Sequence, residues 1–195
     1  HSWGLNTMGM WSEHRNQTGK RTPYTVAIHF NFPKIQENLR CPDAFHPNLP
    51  EIMAQSFVQH TKDTANDPYN MGYFICNELR FAPSGDRKEF DVCNAYLKQE
   101  LTTPGRQRII SYLKEMYSNS IVKVNQIWKT NHKSFKDINM IPFEQTVIGE
   151  DFETIFAQTL YAHFREQIKK LAPHKLYLGS RFVHTTPSHI MDGAA

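Results

Sequence analysis

The run Met71-Gly72-Tyr73-Phe74-Ile75-Cys76 constrains the fold most tightly, because six residues of continuous strand-forming character stop abruptly at Asn77-Glu78. It reads as a buried strand. Around it, short apolar strands alternate with longer helical patterns, which is the rhythm of a parallel α/β fold. Three further strands are expected: Leu5 to Trp11, Tyr24 to Phe30, and Lys175 to Gly179. Helical spacing marks Leu49 to Thr64, a helix opened by Thr103 as N-cap and Pro104 in the first turn, Ile121 to Trp128, and Asp151 to Leu171. The chain stops at Met191 to Ala195, within another helical stretch.

Four strands joined by crossovers long enough for helices imply right-handed βαβ units. A complete (β/α)₈ barrel takes about 250 residues, and this chain has 195. The expectation is therefore a partial (β/α)₈ TIM barrel forming part of a single domain, truncated at both ends, with a long helical excursion between the third and fourth strands found. Open edges would leave such a piece poorly folded by itself.

Composition removes several function classes. Lys plus Arg exceeds Asp plus Glu by 22 − 19, a net charge of +3; this is too small and too dispersed for a nucleic-acid interface. No apolar stretch approaches the roughly 18 residues of a membrane span. Cys41, Cys76 and Cys93 form no CxxC pair, and the ten histidines show no HxxxH or HxH spacing, so neither a disulfide framework nor a metal site is expected. No cofactor is called for either. Aromatic residues make up 12% of the chain, enough to supply stacking surfaces for flat ligands as well as a core.

In α/β barrels, functional groups sit at the carboxyl ends of the strands. That rule selects Asn6 to Ser12, His29, Asn77-Glu78 and Arg181. Glu78 stands out, because an ionisable residue directly follows a buried strand. Partial burial there would raise its pKa, as suits a general acid; a solvated residue beginning a loop is the alternative. Trp11 and Trp128 are candidate stacking platforms for a ligand, with core packing as the alternative for each. Arg181 can bond a ligand or hold Glu78. Asn6 falls mid-strand, as a buried residue organising the mouth. His29 and His184 are minor candidates. Lys169-Lys170 with His174 and Lys175 reads as a solvated cluster that complements a helix end.

The segment Gly72 to Glu78 resembles the fourth strand of clan A glycoside hydrolases, whose acid/base Glu follows an Asn. The resemblance is closer to glycoside hydrolase family 50, the β-agarases. Five blocks carry it, in family order and over nearly the whole chain: Trp3 to Ser12, Cys41 to Pro47, Asp67 to Glu78, Val124 to Trp128, and Leu176 to Phe182. Departures are Met10 for a usual Asn, Cys76 for a frequent Asp, Ser180 for Cys, and Arg80-Phe81 in place of an aromatic-Gly pair.

The resemblance implies that the strands are the second to fifth of the barrel. It also implies a retaining hydrolysis of β-galactosidic bonds in agarose or a related galactan. Glu78 would be the acid and then the base, and Asn77 would bond the hydroxyl beside the reacting carbon. Trp11, Asn6, Arg181 and Trp128 would contact substrate, while the nucleophile Glu lies on a seventh strand beyond Ala195. A polysaccharide substrate implies a secreted, periplasmic or surface enzyme. A β-galactosidase of the same clan and an inactive carbohydrate-binding barrel are the alternatives. Nothing in the residues sets an oligomeric state.

Overall fold

The computed structural model describes residues 4, 6–12, 22–37, 39–82, 90–183 and 186–195. Among these, β1 (Tyr24–Ile28), β2 (Asn70–Ile75) and β3 (Leu176–Tyr177) form one parallel sheet in the order β1-β2-β3. Parallel neighbours cannot be joined by hairpins, so helices carry each return. Helix α1 (Leu49–Thr61) links β1 to β2. Helices α2 (Asp91–Leu97), α3 (Pro104–Met116), α4 (Ile121–Trp128) and α5 (Thr146–Leu171) lie between β2 and β3, and α6 (Ser188–Ala194) follows. The alternating α/β rhythm and the long helical excursion are as expected.

β1 and β2 pair Thr25 with Gly72, Val26 with Tyr73, Ala27 with Phe74 and Ile28 with Ile75; Met71 is the extra residue of a register shift below Thr25. Gly72 is dictated by β3, because a Cβ there would lie 2.3 Å from the Leu176 carbonyl oxygen. Beyond Tyr177, Leu178 N–H still donates to Tyr73 O (2.9 Å) and Ile75 N–H to Gly179 O (2.9 Å). Positive φ at Gly179 (78°) then turns the chain.

Three expectations need correction. Leu5 to Trp11 is not a strand among its described residues: only Met8 bridges, parallel to Tyr24. Met8 N–H donates to Pro23 O (2.8 Å) and Thr25 N–H to Met8 O (3.2 Å). The next bond toward Asn6 would need an N–H on Pro23, which has none, and on the other side Ser12 N–H folds back onto Gly9 O (3.1 Å). The long helix starts at Thr146 rather than Asp151, with Gly149 letting it lie against the Phe90 ring. Thr103 caps α3 by position and Pro104 follows, but its hydroxyl bonds Gln99 Oε1 (3.0 Å) and Glu100 O (2.8 Å) instead of the helix N–H groups.

The chain divides into two compact units. The first comprises His1–Asn31, Pro50–Leu79 and Tyr161–Val183, and so contains the sheet. Its core is Ile28, Met53, Phe57, Tyr73, Ile75, Phe164 and Ile168, with Phe30 edge-on to Phe57 and Phe164. Fully burying each such side chain contributes about 1.5–3 kcal/mol. The second comprises Phe32–Leu49, Arg80–Leu160 and His184–Ala195. An aromatic cluster fills it, with Phe45 against Tyr96, Phe152 and Phe156. No helix among the described residues is long and apolar enough to cross a membrane.

Candidate active site

β2 ends in a change of backbone hand. Cys76 (φ 60°) and Glu78 (φ 52°) are both left-handed, flanking Asn77. A non-glycine residue in that region costs roughly 1–2 kcal/mol, and such positions persist where surrounding bonds over-determine them. Those bonds are present. Cys76 N–H donates to Ile28 O (2.8 Å) on one side, and Glu78 N–H donates to Arg181 O (2.9 Å) on the other. Asn77 and Arg181 form a parallel bridge, and Ser180 Oγ donates to Ile75 O (2.6 Å).

The side chains follow from this backbone. Arg181 Nη2 donates to Glu78 Oε1 at 3.0 Å, with the two side chains 49% and 43% exposed. The desolvated setting expected for Glu78 is therefore not found. The left-handed turn carries it off the buried end of the sheet, where an arginine meets it in partial solvent. Asn77 Oδ1 is buried and has no hydrogen-bond partner among the described residues. Burial pushes the Cys76 thiol up to about 12, which makes it a packing group rather than a nucleophile.

Trp11 is 63% exposed, so core packing is not its role. Its ring stacks on His29, with centroids 6.0 Å apart and planes at 21°. His29 is exposed by surface area, yet partial desolvation lowers its pKa, and the nearby His60 lowers it further. Trp11 and Arg181 line one cavity of about 560 Å³ together with Gly9, Ser12, Thr25 and Phe74. Trp11 also lines a neighbouring cavity of about 470 Å³ with His29, His60 and Asp63. Thus the structure brings Trp11 to Arg181, and Arg181 to Asn77 and Glu78.

Two candidates fall elsewhere. Asn6 is exposed and outside any strand, its Oδ1 accepting from Thr7 Oγ1 (3.1 Å), and so is not the buried residue expected. Trp128 lies in the second unit and is 6% exposed. Its Nε1 donates to Tyr117 Oη (2.6 Å), with the rings edge to face. A ring closed in on this scale cannot present a face to a sugar, so Trp128 is a core residue. Asn125, from the same block, is likewise structural: its amide bonds His132 N and O and the Thr130 hydroxyl. His184 lies outside the described residues.

The lysine cluster behaves as a helix end, with Lys169 Nζ donating to Lys175 O (2.6 Å). Sequence reading missed the buried pair of Glu153 and His189, 36 residues apart, for which no local pattern exists. Among the described residues, no group of three or more His, Cys, Asp or Glu could hold a metal ion.

No family model matches the chain. It is 25% identical over 211 residues to β-agarase B of Vibrio sp. (strain JT0107), an alignment covering 99% of this chain and 22% of that protein. Among solved structures, PfGH50B superposes with a TM-score of 0.87 at 22% identity, over 99% of this chain and 30% of that one. The structure of an exo-β-agarase gives 0.85 at 19% identity, over 99% and 28%. The fold is that of a corresponding part of these proteins, and the chain spans about a fifth of the length of the relative it matches. Over 99% of its length, by sequence and by fold alike, the chain is similar to one part of these β-agarases.

Proposed function

We propose that this chain is strands two to five of a catalytic (β/α)₈ barrel, and that its parent is a β-agarase-like hydrolase cleaving β-galactosidic bonds of agarose or a related galactan with retention. The observation that carries this reading is the Asn77-Glu78 pair just past the end of β2, with Glu78 ion-paired to Arg181. The parallel order of the Met8 bridge, β1, β2 and β3 supports the barrel, whose chemistry belongs at the carboxyl ends of its strands.

In a retaining hydrolysis two carboxyl groups stand ~5–5.5 Å apart. The Glu78 carboxyl gives its proton to the glycosidic oxygen as the second carboxylate attacks the anomeric carbon. The carbon–oxygen bond breaks, the leaving sugar departs as an alcohol, and a glycosyl ester remains. The Glu78 carboxylate then takes a proton from water, the water oxygen displaces the ester, and both carboxyl groups return to their starting states. The family resemblance assigns the second carboxylate to a strand beyond residue 195. Asn77, whose Oδ1 finds no partner among the described residues, is suited to accept from the hydroxyl beside the reacting carbon. Trp11 offers an exposed ring for the apolar face of a sugar. A substrate of polymeric size places the parent's work outside the cell or at its surface.

Glu78→Gln in the full-length parent tests the reading. Turnover of agarose oligosaccharides is expected to fall about 10²–10⁴-fold, the range of a lost general acid, with oligosaccharide binding retained. Unchanged turnover would end the acid/base assignment.

A further inference from the structure

We infer that Arg181 is the positioning residue of the Glu78 carboxyl and not a sugar contact: the chain uses the tip of β3's strand extension to hold one oxygen of the acid and leave the other free to exchange a proton. The inference rests on the acid/base reading of Glu78. Its basis is a redundancy that substrate contact would not require. Arg181 holds the Asn77-Glu78 step twice, through the parallel backbone bridge to Asn77, in which its carbonyl accepts Glu78 N–H (2.9 Å), and through Nη2 donating to Glu78 Oε1 (3.0 Å). The partners are 103 residues apart, so only the finished sheet joins them.

A left-handed Glu78 with nearly half its side chain exposed would otherwise sample several rotamers in solvent. One guanidinium contact removes that freedom while using one oxygen, and Oε2 remains for the proton. Arg181 also lines the 560 Å³ cavity that carries Trp11, which sets the held carboxyl beside that cavity. General-acid catalysis depends on such placement, because a small displacement of the acid is costly.

Leaving-group dependence separates positioning from binding, because a bond to a good leaving group breaks without protonation. Arg181→Gln in the full-length parent would be assayed on an agarose oligosaccharide and on a dinitrophenyl β-glycoside of the same terminal sugar. The expected result is a fall of about 10²-fold in kcat on the oligosaccharide, with KM little changed and less than about 3-fold loss in glycosylation of the aryl glycoside, measured in the pre-steady-state burst. Should Arg181→Gln not fold, Arg181→Met retains the aliphatic stem and is read in the same way.

Equal losses on both substrates, or a rise in KM alone, would overturn the inference and return Arg181 to sugar binding or to fold. Glu78→Gln run beside it keeps the two readings apart. If Glu78→Gln shows no leaving-group dependence, the acid assignment itself has failed; if it does and Arg181→Gln does not, only the positioning role has.

Discussion

Two glutamates of this chain each meet a basic side chain, and they differ in almost everything else. Glu153 is 1% exposed. One of its oxygens lies 2.9 Å from His189 Nε2, and the other accepts Val92 N–H (3.1 Å) and Cys93 N–H (3.5 Å) at the start of α2. Both carboxylate oxygens are engaged, and the residue sits in regular helix. Glu78 is half-exposed, sits on a left-handed backbone, and commits a single oxygen. A buried carboxylate must be satisfied on every side or the fold suffers. A carboxylate meant to trade a proton must keep one side open, and its backbone strain is tolerated because the sheet holds it. The first arrangement is architecture; the second is the one the proposed acid/base role requires.

The sharpest way to break that contrast is to remove each carboxylate in turn. Glu78→Gln should abolish most turnover while shifting unfolding free energy by no more than about 1 kcal/mol, since a half-exposed ion pair is worth little to stability. Glu153→Ala should do the reverse and cost about 3–5 kcal/mol in urea unfolding, because it removes a buried acceptor from Val92 N–H and Cys93 N–H as well as from His189. Equal stability losses in the two variants would erase the distinction.

The two tryptophans repeat the test at smaller scale. Trp128→Ala should destabilise by about 3–5 kcal/mol, the usual cost of emptying a packed aromatic site. Trp11→Ala should leave unfolding nearly unchanged and weaken oligosaccharide binding by about 1 kcal/mol, roughly five-fold by calorimetry. Affinity loss in Trp128→Ala without destabilisation would reinstate it as a platform.

The smallest effect belongs to His29. Partial desolvation disfavours its imidazolium, so its folded pKa lies below the ordinary 6.5. As pH falls below 6.5 the unfolded chain takes up the proton first. The stability held above that pH is then lost as pH falls through the folded value. His29→Gln should therefore narrow the difference in Tm between about pH 7.5 and pH 5. An unchanged difference would show that the stacked ring beside Trp11 is not screened from water.

Much of this was legible before folding. Continuous apolar character at Tyr73 to Ile75 announced a strand, of which Tyr73 and Ile75 are fully buried while Phe74 is half-buried, and Ser120 and Lys129 bound α4 at the residues its spacing suggested. The site was legible where it follows a strand, as at Asn77-Glu78. Helix α2 was not, because it is buried nearly all round and so shows no amphipathic period. Asn6 was misplaced because a strand reading counts side chains and overlooks a missing N–H on the neighbouring strand's proline.

The sequence alone determined the alternation of strands and helices, the carboxylate at a strand end, and a family resemblance carried by five ordered blocks. All of these are local, written in residue type and spacing. Only the tertiary structure decided that Arg181 reaches Glu78 across 103 residues, that Trp11 faces solvent while Trp128 is enclosed, and that Glu153 finds His189. Those outcomes depend on strand order and helix packing, and pairing energies between distant residues exist only once the backbone has brought them within hydrogen-bonding distance.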